Sequence, residues 1–329
     1  GQGKWYPGEQ LPRWALSIYW RADGTPCWQD PAVFADERAP SQYTSADAQR
    51  FMQGLTQQLG LPGDTVLPGY EDTWYYLWRE RRLPVNVDPF DAKLDDEMER
   101  IRLRRIFSQG LDQAVGYVLP LQPVEPAAGT GNPPMSAWQT GRWFLRDERM
   151  YLMPGDSPMG WRLPLDSLPW AAPTDRWHMI EQDPFAARSA LHAAAPVTLQ
   201  PRQNPTMTAQ AVPAQPVPTQ FQSDPSVVRT ALCVEVRDPN RANGPKAETD
   251  AQKKGQKSGV LYVFMPPLAR LEDYLALVSA VEATARTLGM KIVMEGYPPP
   301  RDPRLKLLQV TPDPGVIEVN IHPAHNWTE

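Results

Sequence analysis

Three polar residues alternate with aliphatic residues close to the end of the chain, in the run GVIEVNIHP. Successive side chains of a β-strand point to opposite faces, so Glu318, Asn320 and His322 share one face of a predicted strand. The other face is aliphatic and consists of Ile317, Val319 and Ile321. The pattern predicts a strand with one side in the core and the other available for chemistry or solvent.

Two further predicted strands carry a carboxylate opposite an apolar face. In ALCVEVR the aliphatic residues alternate with Glu235 and Arg237, and in KIVMEG they oppose Glu295. If all the apolar faces cover a helix, Glu235, Glu295 and Glu318 gather on the open face of one sheet.

Gathered carboxylates repel one another, and each raises the pKa of the others unless a cation neutralises them. Glutamate oxygens, with Asn or His nearby, suit Mg²⁺ or Mn²⁺, the metals that accompany nucleotide phosphates. The alternative is that each glutamate is a solvent-facing residue of a half-exposed antiparallel sheet. The residues alone leave both interpretations open.

Arg301 and Arg304 follow Glu295 in the segment PPPRDPRL and could hold a carboxylate or phosphate through paired hydrogen bonds. Alternatively, they are surface arginines in a rigid proline loop. Asn320 and His322 could contact metal or nucleotide, or His322 could simply cap the strand end before Pro323.

Composition restricts the class of partner. The chain has 329 residues, of which 41% are hydrophobic and 22% charged, as in soluble globular proteins. Its net charge of -5 argues against nucleic acid and against an acidic membrane surface as partners.

The two cysteines, Cys27 and Cys233, are far apart in the sequence, which disfavours a disulfide framework or a zinc knuckle and favours a cytoplasmic location. No apolar stretch is long enough to cross a membrane.

The chain divides into three predicted regions. Residues 1–183 form a Trp-rich, Pro-punctuated mixed α/β block, with helices expected from Ser45 to Gly60, capped by Ser or Asp, and over residues 95–107. Its aromatic residues are expected to lie in the core; the alternative is a stacking platform for a sugar or base. Residues 184–226 are rich in Ala, Pro and Gln and predict a disordered linker. Residues 227–329 predict an antiparallel sheet of four strands with one packed helix that ends at Gly289, so the fold class is α+β.

Long segments of both blocks resemble one family. The strings RTALCVEV, LYVFMPPLARLEDYLALVSAVEATA, VMEGYPPPRDPRL and VTPDPGVIEVNIHPAHNW, with GQGKWYPGEQLPRWALSIYWR in the first block, are similar to an amidoligase-like domain of unknown function. That domain occurs in large bacterial proteins behind a transglutaminase-like domain. The resemblance implies more sequence before Gly1 and a further catalytic half after Glu329.

The resemblance extends to the carboxylate-amine ligase superfamily of glutamine synthetase and glutamate-cysteine ligase. There, glutamates of a curved antiparallel sheet hold Mg²⁺ ions that bind ATP, which implies this role for Glu235, Glu295 and Glu318. Asn320 and His322 would then contact the nucleotide. Many relatives carry two glutamates two residues apart on the first core strand, whereas this chain has Cys233 and Glu235.

The implied reaction joins a small-molecule or peptide carboxylate to an amine through an acyl phosphate formed with ATP and Mg²⁺ (or Mn²⁺). Arg301 and Arg304 would hold substrate in this reaction. A transglutaminase-like domain in the same parent chain implies peptide or protein modification. Two alternatives are a non-catalytic peptide- or glycan-binding module and a metal-dependent hydrolase that uses the same carboxylates.

Overall fold

The structure is a computed structural model, and it describes fourteen stretches of the chain. These stretches are residues 15–36, 39, 43–72, 113–124, 137–145, 148–154, 160–164, 168–172, 188–191, 223–224, 227–237, 259–313, 315–324 and 326–328. The helix predicted over residues 95–107 and the polar insert at 238–258 lie outside them.

The described stretches contain twelve strands and two α-helices, in agreement with the α+β prediction. The helices are α1 (Ser45–Leu59) and α2 (Leu271–Leu288). The strands before residue 184 are β1 (Leu16–Arg21), β2 (Leu67–Glu71), β3 (Gly116–Pro120), β4 (Gln122–Pro123), β5 (Trp138–Gln139), β6 (Met150–Pro154) and β7 (Trp161–Arg162). The strands after residue 226 are β8 (Ala231–Arg237), β9 (Val260–Met265), β10 (Ile292–Gly296), β11 (Leu305–Asp313) and β12 (Val316–Ile321).

A seven-stranded sheet with the order β10-β9-β8-β3-β2-β6-β7 forms the centre of the fold. The expected antiparallel pairing holds between β8 and β9, but β10 runs parallel to β9. The cause is α2, which connects β9 to β10 and returns the chain to the same end of the sheet. Strands from both sides of the predicted 184–226 linker share this sheet, and the domain boundaries themselves stay a prediction.

Part of the predicted linker packs against the folded chain. Arg21 donates a hydrogen bond to the carbonyl of Leu191 at 3.0 Å, and Arg304 donates one to the carbonyl of Ser189 at 2.8 Å. Residues 188–191 therefore differ from the prediction of disorder, because two arginines hold their backbone.

Helix α1 begins one residue earlier than a Ser45 cap would require. Its N-cap is Thr44, whose backbone N–H donates to the carboxylate of Asp47 at 2.8 Å, so the predicted Ser or Asp cap is wrong. The helix ends before Gly60, as predicted, and it buries Phe51 and Leu55 completely.

Helix α2 packs on the apolar face of the sheet, as the sequence predicts. Its buried residues Leu277 and Val281 belong to one core cluster with residues of β8, β9 and β10. The strand residues of this cluster are Leu232, Val234, Leu261, Val263, Met265 and Ile292. The alternation predicted for β8 is confirmed, and it places Glu235 and Arg237 on the opposite face, whereas β9 is buried along most of its length. No helix in the described stretches is long and apolar enough to span a membrane.

A buried carboxylate anchors an N-terminal loop to α2. Glu282 is 3% exposed, and its Oε1 accepts hydrogen bonds from the backbone N–H groups of Gln29, at 2.8 Å, and Asp30. One side chain thus satisfies two donors that no strand or helix pairs.

Replacing Glu282 by alanine is expected to lower the free energy of unfolding by about 2 to 3 kcal/mol, because two partly buried N–H groups lose their acceptor. Glu282→Gln keeps an oxygen at this position and should cost less than half as much. Thr287→Ala, at an exposed site of the same helix, is the control. Urea unfolding measures all three, and equal losses for the alanine and glutamine variants would contradict the anchoring role.

A second, three-stranded sheet has the order β1-β11-β12. Two predictions about GVIEVNIHP are therefore wrong: its strand is not part of the large sheet, and its aliphatic face is not in the core. Ile317, Val319 and Ile321 are 72%, 56% and 58% exposed, because β12 lies at the edge of this small sheet and pairs with β11 alone. Leu16 and Ile18 of β1 extend the exposed apolar surface.

Candidate functional site

The structure brings two of the three predicted metal ligands onto one sheet. Glu235 on β8 and Glu295 on β10 lie on the same face of the large sheet, separated by β9. Glu318 lies on β12 in the small sheet, where it pairs with Thr311. The prediction that all three glutamates share one sheet is therefore wrong for Glu318.

Strand register explains why these side chains meet. Glu235 is opposite Tyr262 on β9, and Glu295 is opposite Phe264 two residues further along β9. Arg237 lies two residues after Glu235 and shares its face. All five side chains project away from the helices.

The guanidinium of Arg237 lies between the two carboxylates. Its Nε is 3.3 Å from Oε1 of Glu235, and its Nη2 donates a short hydrogen bond to Oε1 of Glu295. The side chain crosses β9 to reach Glu295, and its Cζ lies 3.6 Å from the centroid of the Tyr262 ring. We call Glu235, Arg237, Tyr262 and Glu295 the Arg237 cluster.

The Arg237 cluster is largely withdrawn from water. The side chains of Glu235 and Arg237 are 13% and 12% exposed, and that of Glu295 is 33% exposed. Burial alone would lower the pKa of Arg237, but the charges of Glu235 and Glu295 raise it above its ordinary value. Arg237 therefore remains a cation.

The segment of Gly160 and Trp161 covers Glu235. The backbone N–H of Trp161 donates to Oε2 of Glu235 at 2.8 Å, and any Cβ added to Gly160 would overlap Oε1. The face predicted to be open is therefore closed above Glu235. The approach of backbone to carboxylate requires glycine at position 160.

Cys233 lies two residues before Glu235, at the position where the family resemblance implies a further glutamate. Burial, followed by the charge of Glu235, raises the pKa of its thiol to about 12. Its side chain packs against a second core cluster built on Val118, Trp143, Met150 and Leu152. With this raised pKa the thiol is protonated at neutral pH in the metal-free protein.

The described residues do not fit the Mg²⁺ site that the resemblance implies. A cation already lies between Glu235 and Glu295, and the third glutamate belongs to another sheet. Within the same stretches, no group of three or more His, Cys, Asp or Glu side chains is arranged to hold a metal ion.

Arg304 is engaged by the protein itself. It makes two hydrogen bonds to Asp302, at 2.9 and 2.7 Å, and a salt bridge to Glu272 of α2 at 2.8 Å. These hydrogen bonds, those to Asp302 first, raise the pKa of Arg304 above its ordinary value. Arg304 thereby joins the start of β11 to α2, whereas Arg301 is exposed.

The carboxylates around Arg304 predict acid sensitivity. Burial alone would raise the pKa values of Asp302 and Glu272, but hydrogen bonds from Arg304 and its charge lower both. Carboxylates with lowered pKa values stabilise the fold above their ordinary range, and this contribution is lost as the pH falls below about 4.

We expect the free energy of unfolding of the wild type to fall more steeply between about pH 5 and pH 3 than that of Asp302→Asn. Urea titrations at both pH values measure the difference. Asp64→Asn, at an exposed carboxylate, should leave the wild-type slope unchanged. Parallel slopes for the wild type and Asp302→Asn would contradict the assignment.

Asn320 and His322 lie on the small sheet, away from the Arg237 cluster. The side-chain amide of Asn320 donates to Glu318 at 2.7 Å on the exposed surface. The rings of His322 and Trp20 are perpendicular, with 5.5 Å between centroids, and the backbone N–H of His322 donates to the carbonyl of Leu307 at 3.0 Å. Their predicted contact with nucleotide stays a prediction.

The family described as "Putative amidoligase enzyme (DUF2126)" has a sequence model that matches residues 1–329. No curated protein and no solved structure matches the chain.

Proposed function

The chain belongs to the DUF2126 amidoligase family, and from this premise we propose that it is part of an ATP-dependent carboxylate-amine ligase. The observation that carries the proposal is the match of the family over residues 1–329. The reaction transfers the γ-phosphoryl group of ATP to a carboxylate, which releases ADP. An amine then attacks the acyl phosphate and displaces phosphate, so that an amide forms.

In this proposal Mg²⁺ enters with ATP as its counter-ion, since the Arg237 cluster already contains its own cation. A metal bound to ATP would neutralise charge that develops during phosphoryl transfer. The contribution of the described residues is a rigid sheet face on which Arg237 and the two glutamates fix one another.

Arg301 is the better placed of the two predicted substrate arginines. It is exposed, whereas Arg304 is tied to Asp302 and Glu272. We propose that Arg301 contacts an anionic group of substrate or nucleotide and that Arg304 acts as a positioning residue for the loop that carries Arg301.

The test of the proposal is ADP formation by the full chain and by any longer protein that contains it. ATP, Mg²⁺ and hydroxylamine are supplied with a panel of amino acids and short peptides as carboxylates. A ligase releases ADP and forms hydroxamate in equal amounts, and it does so only when a carboxylate is present. Release of ADP without a carboxylate would indicate a hydrolase, and the absence of ADP from both proteins would refute the proposal.

A non-catalytic binding module is the second candidate, and the exposed apolar face of the small sheet favours it. Large exposed apolar surfaces in soluble proteins commonly mark interaction sites. Peptides and glycans are the partners that this alternative proposes. Binding of a peptide that is weakened by Ile317→Ser, together with the absence of ADP formation, would support the binding module over the ligase.

The proposed substrates are a small-molecule or peptide carboxylate and an amine, in a pathway of peptide or protein modification. A transglutaminase-like domain in the same parent chain would be the natural partner of such chemistry, since both act on amide bonds. Mass spectrometry of peptides incubated with the parent and ATP would reveal the added amine.

A further inference from the structure

We infer that the guanidinium of Arg237 is the permanent cation of the polar sheet face, in the position between Glu235 and Glu295 that the family resemblance gives to a divalent metal ion. The inference concerns the occupant of this face. It holds whether or not the chain takes part in amide ligation.

The first argument is geometric. The Arg237 side chain runs from β8 across β9 to β10 and contacts one oxygen of each glutamate. A metal ion held by both carboxylates would have to occupy the space that the guanidinium fills. The ring of Tyr262, 3.6 Å below Cζ, provides the floor of that space.

The second argument is the state of Glu235. Its Oε1 contacts Arg237, and its Oε2 accepts the N–H of Trp161 at 2.8 Å. Mg²⁺ requires near-ideal octahedral geometry and keeps several waters. Glu235, closed in by Gly160 and engaged at both oxygens, offers neither the room nor a disengaged oxygen.

The third argument is electrostatic. The two glutamates and Arg237 together carry a net charge of about -1, which attracts a divalent cation far less than two unpaired carboxylates would. A metal that entered beside Arg237 would also be repelled by it at short range. Binding would thus require the guanidinium to leave both carboxylates and the face of Tyr262, where a desolvated cation–π contact alone is worth about 2 kcal/mol.

Mn²⁺ is the probe that tests the inference, because free Mn²⁺ gives an electron paramagnetic resonance signal that disappears on binding. The full chain is titrated with MnCl₂ in the absence of nucleotide, and the same titration is made with Glu295→Gln. Since Glu295 is partly exposed and glutamine is nearly isosteric, this variant is expected to fold. We expect the same number of bound Mn²⁺ ions per chain for both proteins; the loss of one ion in Glu295→Gln would overturn the inference.

Arg237→Met provides the complementary arm. Without the guanidinium, two carboxylates face each other across β9, and this variant is expected to bind one Mn²⁺ ion more than the wild type. The double variant Arg237→Met/Glu295→Gln should lose that additional ion. A folded Arg237→Met protein that binds no additional ion would count against a cation position between the glutamates. If Arg237→Met does not fold, the comparison of the wild type with Glu295→Gln decides alone.

Neither Mn²⁺ titration measures ligation, so the test of the internal cation is independent of the test of the proposed ligase function. An unchanged Mn²⁺ count in Glu295→Gln together with no ADP formation would retain the internal cation and refute the ligase. ADP formation together with the loss of one ion in Glu295→Gln would retain the ligase and refute the internal cation.

Discussion

Replacing Arg237 by methionine is expected to lower the free energy of unfolding by about 3 kcal/mol, the cost of breaking a buried ion pair by removing one partner. Glu235 is 13% exposed and would lose the cation that compensates its burial. Glu295, which is more exposed, adds less to the loss. Urea unfolding of the wild type and the variant measures the difference.

Two controls separate the lost charge pair from the mere loss of an arginine. Arg301→Met removes an exposed arginine and should change stability by no more than about 0.5 kcal/mol. Adding Glu235→Gln to Arg237→Met removes the uncompensated charge and should recover part of the loss. An Arg237→Met variant as stable as Arg301→Met would show that the cluster is not a stabilising contact.

Gly296→Ala is expected to cost about 3 kcal/mol or more, because overpacking and backbone strain add at one residue. Gly296 has a φ of 99°, a conformation that side chains rarely adopt. A Cβ there would lie 2.6 Å from the carbonyl oxygen of Met265 and closer still to its backbone N. Since the clash is with the backbone of β9, no side-chain rotation can relieve it.

Gly289→Ala isolates the contribution of backbone conformation. Gly289 ends α2 with a φ of 63°, and a Cβ there would meet nothing within 4 Å. We expect a loss of about 1 kcal/mol, typical of a residue other than glycine in the left-handed region. Thermal and urea unfolding compare the two variants, and equal losses would contradict the close approach of β9 and β10.

The elements after residue 226 could largely be predicted from the sequence, because each has a strong local pattern. Period two identified β8, β10 and β12, and helical spacing identified α2 and its end at Gly289. The same pattern assigned Glu235, Arg237 and Glu295 to the face opposite the helix. These are statements about single segments, which local periodicity determines.

Pairing between distant segments could not be predicted in the same way. β12 has the alternation of a core strand, but its partner is β11, which begins within a segment interpreted as a proline loop. β8 pairs with β3, more than 100 residues earlier in the chain, and nothing in either segment specifies that partner. Glu318 was therefore assigned to the wrong sheet by a correct strand prediction.

The sequence itself indicates a cationic partner for the two glutamates, in addition to the metal ion that the carboxylates predict. Arg237 follows Glu235 by two residues and must share its face, and Tyr262 lies at a polar-face position of β9. An arginine on the same face as the carboxylates can take the place of a metal ion as their counter-ion if its side chain is long enough to cross a neighbouring strand. The cover formed by Gly160 and Trp161 carried no comparable signal, because it depends on a contact across 74 positions of the chain.

A crystal structure of the full chain soaked in MnCl₂, with an anomalous difference map at the manganese edge, tests the central claim most directly. The account predicts planar guanidinium density of Arg237 between Glu235 and Glu295 and no anomalous peak at that position. An anomalous peak within about 2.2 Å of both carboxylates, with Arg237 turned away from Tyr262, would contradict it.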